Sequence, residues 1–123
     1  MNRLNEADLD ANIRRLVMTL NTYPGVRTIG SCGGHEHPTG VQRPAGEWFV
    51  TFFIAHTRGG WRSLELIAGS ILLDPERTSL KVITSRPGQV TGRALFFALE
   101  GWGQADPDRI ASYLDRVRGN TDT

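Results

Sequence analysis

Apolar residues near the start of the chain recur at helical spacing. Leu9, Ile13, Leu16, Val17 and Leu20 fall on one stripe, which predicts an amphipathic helix over about Glu6–Asn21. Asn5 stands before it as a cap, Glu6 and Asp8 suit the positive end of the helix dipole, and Pro24-Gly25 stops it. Val26–Ile29 reads as a short strand. Glu47–His56 is the strongest strand of the chain. Trp48, Val50, Phe52 and Ile54 share one face, while Phe49, Phe53 and Ala55 line the other. A strand that is apolar on both faces is expected at the centre of a sheet covered on both sides.

Gly59-Gly60 interrupts that strand. A second helix is predicted over about Trp61–Leu72, with Trp61, Leu64, Ala68, Ile71 and Leu72 turned inward. Leu80, Val82 and Thr84 alternate as a third strand, and Pro87-Gly88 supplies a turn. Arg93–Glu100 is the fourth strand, with Leu95, Phe97 and Leu99 alternating, and Gly101-Trp102-Gly103 ends it. Asp106-Pro107 opens a third helix, a cap followed by proline at the first position, and Ile110, Leu114 and Val117 form its buried stripe. The predicted fold is a single α+β domain over residues 1–123. Its four-stranded sheet is mixed or antiparallel, and its element order is α-β-β-α-β-β-α.

Composition narrows the function classes. Fourteen Lys and Arg against 13 Asp and Glu give a net charge of +1, which excludes a strongly basic nucleic-acid coat and an acidic tail. A single cysteine, Cys32, excludes a disulfide scaffold. No apolar run reaches the roughly 18 residues of a membrane span. The opening MNRLNEADLD has no apolar core of a signal peptide. A cytoplasmic location, with no membrane partner, is the expectation.

The chemistry concentrates in the stretch from Gly30 to Gly46, which holds five glycines and two prolines and reads as one long loop. Loops beyond about 12–15 residues are uncommon in compact domains and are usually functional. Cys32, His35 and His37 form a C-x2-H-x-H cluster whose thiolate and imidazoles suit zinc or another divalent metal. Alternatively, the backbone amides around Gly30, Gly33 and Gly34 form a nest for a phosphate or carboxylate. A third reading makes Cys32 a nucleophile assisted by His35 or His37. A fourth makes the segment the contact surface of a non-catalytic module that forms a homo-oligomer. Of the tryptophans, Trp48 and Trp61 read as core and Trp102 as exposed. If the first two strands form a hairpin, His56 lies at the far end from Cys32.

The succession of motifs resembles a known family. Ser31-Cys32-Gly33-Gly34 follows a helix and a short strand, Gly46-Glu47-Trp48 leads into an apolar strand ending at His56, and Arg62-Ser63-Leu64-Glu65 opens a helix. An apolar strand then ends at Leu99-Glu100. This order is similar to that of the wybutosine-synthesising tRNA methyltransferases, the third enzyme of that pathway. Gly33 stands where that family has a second serine, and His35 where it has an arginine. The resemblance implies an α+β fold that binds S-adenosylmethionine and takes an RNA or nucleotide substrate. Carried over by position, Ser31, Cys32, Gly33, Gly34, Arg62 and Glu65 would bind the cofactor. His35 or His56 would remove the proton from the methylated nitrogen.

Overall fold

The computed structural model describes residues 9–40, 42–83 and 94–119. In chain order they form α1 (Ala11–Leu20), β1 (Val26–Cys32), β2 (Glu47–Ala55), α2 (Arg58–Gly69), β3 (Thr78–Ile83), β4 (Ala94–Trp102) and α3 (Pro107–Val117). A short 3-10 turn, Ser70–Leu73, extends α2. The strands make one sheet in the order β1-β2-β4-β3, and every neighbouring pair is antiparallel. The α+β class and the order of elements are therefore as the hydrophobic pattern predicts. No described helix is long and apolar enough to cross a membrane.

The three helices pack on one face of the sheet. Trp48, Val50, Phe52, Ile54, Phe97 and Leu99 meet Ile13, Leu16, Val17 and Leu20 of α1, Ile67 of α2, and Ile110, Ala111 and Leu114 of α3. Burying one such side chain is worth about 1.5–3 kcal/mol, so this seam dominates stability. The hydroxyl of buried Tyr23 donates to the carbonyl of Leu114 at 2.6 Å and ties the end of α1 to α3. Asp106 caps α3 through the N–H of Asp108, with Pro107 in the first turn.

Several boundaries differ from expectation, each for a physical reason. Helix α1 begins at Ala11 with Asp10 at its N-cap. The expected cap Asn5, with Glu6 and Asp8, lies outside the described residues, as do Thr84, Arg93 and the Pro87-Gly88 turn. Strand β1 runs past Ile29 to Cys32, helped by a bulge between Thr28 and Gly30. Glycine did not end β4 either, which continues through Gly101 to Trp102. A Cβ at Gly101 would collide with the indole of Trp48, so this glycine makes room for packing and leaves the strand intact.

Helix α2 turns a different face inward. Gly60, Ser63 and Ile67 are its buried residues, while Trp61 is 38% exposed and Leu72 78% exposed. Leu64 and Ile71 are only partly buried, and Ala68 is exposed. Small residues win because α2 lies very close to the chain beneath it. The Ser63 hydroxyl donates to the carbonyl of Pro24 at 2.7 Å, and a Cβ at Gly60 would collide with the carbonyl of Ala55. Trp48 is buried and Trp102 exposed, as expected. Strand β2 is central, as its composition predicts, but no described helix packs on its second face.

Candidate metal centre

The stretch expected to be one loop divides in two. Gly30, Ser31 and Cys32 belong to β1, and the connection proper runs from Gly33 to Gly46. Its own backbone folds it back. The His35 N–H donates to the Arg43 carbonyl at 2.8 Å, the Glu47 N–H to Pro44 at 3.1 Å, and the Gly103 N–H to Gly46 at 2.9 Å. Gly34 has φ +95° and sits against the carbonyls of Glu47 and Pro44, a position a side chain would not tolerate.

This folding brings three donor atoms together. Asp10 holds the N-cap position of α1, yet its carboxylate does not cap its own helix. It accepts instead from the Gly33 N–H at 2.8 Å and lies 3.2 Å from Nε2 of His35. The carbonyl of Gly33 accepts from the Asn12 side chain at 2.8 Å, so α1 grips the loop from both sides. The sulfur of Cys32 accepts from the N–H groups of Gly34 at 3.4 Å and Arg43 at 3.3 Å. One donor atom each from Asp10, Cys32 and His35 lies within 4.8 Å of the others. Cys32 is 3% exposed, while the Asp10 and His35 side chains are about one-third exposed. All three line a cavity of about 330 Å³ that is also walled by Leu9, Ser31, Gln42 and Phe49.

The donor set is chemically coherent. A carboxylate, a thiolate and a neutral imidazole carry two negative charges toward a divalent ion, and the mix of O, S and N suits zinc. Two nitrogen or oxygen ligands of one tetrahedral zinc are separated by roughly 3.3 Å, given bonds of about 2.0–2.1 Å. The Asp10–His35 separation fits that span. The sulfur already accepts from two backbone N–H groups, contacts that would also orient a thiolate ligand.

The residues singled out from sequence do not all meet. Cys32 and His35 come together. His37 is exposed and lies outside the group, its place taken by Asp10. No spacing in the sequence marks Asp10, which reaches the site because α1 delivers it across the end of β1. The expected anion nest is already filled from within, since the Gly33 and Gly34 amides serve Asp10 and Cys32. His56, Arg62 and Glu65 sit elsewhere. Cys32 pairs with Phe49 and Val26 with Ile54, so His56 follows the opposite end of β2, roughly 23 Å along the strand. There its ring meets Trp61 edge-on at 5.2 Å, and Arg62 pairs with Glu65 at 3.1 Å. The residues carried over from the resemblance thus form two groups at opposite ends of the sheet.

A second charged feature adjoins the first. Glu100 lies on β4 in the row Cys32–Phe49–Glu100 across the sheet. Its side chain is only 8% exposed, and it pairs with Arg43 at 3.3 Å and Lys81 at 3.0 Å. The Arg43 guanidinium also lies over the ring of Phe49, 5.3 Å from its centre. One residue therefore holds the Cys32 sulfur with its backbone and a buried carboxylate with its side chain. Comparison with protein-family models, with curated proteins and with solved structures finds no match.

Proposed function

We propose that this is a metal-binding protein in which Asp10, Cys32 and His35 hold a zinc-like divalent ion. The observation that carries the reading is the convergence of three donor atoms from separate segments within 4.8 Å. Three protein ligands leave a coordination position open toward the cavity, the arrangement of sites where a metal acts on a bound water or ligand. A cysteine nucleophile is a weaker reading, because Cys32 is 3% exposed and its sulfur already accepts two N–H groups. A free thiolate ligand suits a reducing compartment, and we place the protein in the cytoplasm on that ground.

The test is metal content and spectroscopy on protein prepared without a histidine tag. Zinc is expected at one equivalent per chain. Cobalt loading is expected to give a thiolate-to-metal charge-transfer band that disappears in Cys32→Ser and weakens in His35→Ala and Asp10→Ala. His37→Ala is expected to bind as the wild type does. Failure to retain zinc or cobalt at micromolar concentration overturns the proposal. Calorimetry with S-adenosylmethionine serves as the control for the methyltransferase resemblance. No heat is expected, because the residues that would hold this cofactor sit at both ends of the sheet.

A further inference from the structure

Arg43 holds two of the three donor residues through its backbone alone. Its N–H donates to the Cys32 sulfur at 3.3 Å, and its carbonyl accepts from the His35 N–H at 2.8 Å. A cysteine sulfur is a weak acceptor, and Gln42, Pro44, Ala45 and Gly46 around Arg43 are exposed. Two backbone bonds on so exposed a stretch need an anchor outside it.

The side chain supplies that anchor. Arg43 lies along the row Cys32–Phe49–Glu100 that the register sets across β1, β2 and β4. Its backbone meets Cys32, its guanidinium stacks over Phe49, and Nη2 reaches Glu100 at 3.3 Å. Glu100 stands on β4, a strand paired on both sides, so it is a post that does not move with the loop. Glu47 also meets Arg43, at 3.6 Å, but it is itself half-exposed and contributes little. Lys81 pairs with Glu100 at 3.0 Å from β3, at the opposite edge of the sheet from Cys32. A buried ion pair adds little net stability over apolar side chains of the same size. Stability alone therefore gives no reason for Glu100 to stand here.

We propose that Arg43 is the positioning residue of the centre and Glu100 its anchor. The pair fixes the Cys32 sulfur and the His35 backbone in one arrangement, and through it the separation of their donor atoms. What this does for an ion rests on the metal reading above; the hold on the thiol does not. Groups that orient ligands from outside the coordination sphere set metal affinity by about 10–100-fold. That control here reaches the centre from β4, a strand that provides none of the three donors.

Four variants test it. Arg43→Met and Glu100→Gln break the anchor, while Lys81→Met and Tyr23→Phe weaken the fold elsewhere. Two readouts are taken: cobalt titration followed at the thiolate charge-transfer band, and the rate at which iodoacetamide alkylates Cys32 in metal-free protein. The two anchor variants are expected to weaken cobalt binding about tenfold or more, to shift the band, and to speed alkylation severalfold. Lys81→Met and Tyr23→Phe are expected to stay close to the wild type in both. The half-exposed Arg43 keeps the test valid if Glu100→Gln does not fold. Alkylation rates equal in anchor and control variants overturn the proposal, whether or not cobalt binds. So does cobalt binding weakened no more by Arg43→Met than by Lys81→Met. A wild type that takes up no cobalt yet shows the expected alkylation pattern overturns the metal reading and supports the positioning role.

Discussion

The backbone N–H of Arg43 donates to the sulfur of Cys32 at 3.3 Å, across 11 residues of chain. The side chain of the same arginine reaches the buried carboxylate of Glu100. The loop is therefore anchored to the centre of the sheet by the residue that also positions the thiol, and disturbing either contact should be felt at the other.

Glu100 is the first place to measure that coupling. Arg43→Met or Lys81→Met alone leaves Glu100 one cation, and each is expected to cost about 0.5–1 kcal/mol. Together they strand a buried carboxylate, and the double variant is expected to lose at least about 1 kcal/mol more than the sum. Urea unfolding of the four proteins of the cycle checks this. An additive result would mean that Glu100 is hydrated in solution.

Gly33 tests the close approach of α1 to the site. A methyl group there would collide with the Asn12 side chain, which donates to the carbonyl of the same residue. Gly33→Ala is expected to destabilise the fold by about 1–3 kcal/mol and to lower zinc affinity at least tenfold, because Asp10 is displaced with its helix. Thermal unfolding with and without zinc reads both effects. Unchanged zinc affinity would remove Asp10 from the ligand set.

Gly101→Ala is expected to cost about 1–3 kcal/mol, since the added methyl overpacks the core against the Trp48 indole. The indole N–H of Trp48 donates to the carbonyl of Ala105 at 3.0 Å, and that bond should be lost too. A red shift of tryptophan emission together with a lower melting temperature checks the prediction. A blue shift or no change would show that β4 yields instead.

Tyr23 gives a pH dependence with a definite sign. Burial, the largest influence, raises its phenol from 10.0 to about 12. The unfolded chain therefore loses this proton first, and the native state loses stability as pH rises from about 10 to about 12. Below pH 10 the contribution is fully present. Tyr23→Phe should remove this alkaline dependence, while costing about 1 kcal/mol at neutral pH for the hydrogen bond to Leu114. Equal alkaline melting profiles for the two proteins would show that Tyr23 is not the group responsible.

How much of this was legible beforehand depends on the range of the interaction. Leu16, Val17 and Leu20, or Asp106 followed by Pro107, declare themselves because periodicity and capping are local. The central place of β2 was also readable, since alternation of Trp48, Val50, Phe52 and Ile54 survives any topology. The phase of α2 was not, because Gly60 and Ser63 face inward for reasons that lie in Pro24 and Ala55. Nor was the role of Gly101, which answers to a ring on another strand. Cys32 and His35 were readable as a pair. Asp10 was not, because its usual work at a helix start hides the contact it makes instead.

That diversion of Asp10 has a kinetic consequence. Its bonds to the Gly33 amide and to His35 arrange the donors before any ion arrives. An incoming cation would exchange one short polar contact for coordination, with no refolding step to wait for. Removing the proposed ion with a chelator should accordingly leave a folded chain behind, unlike small zinc domains that collapse when stripped.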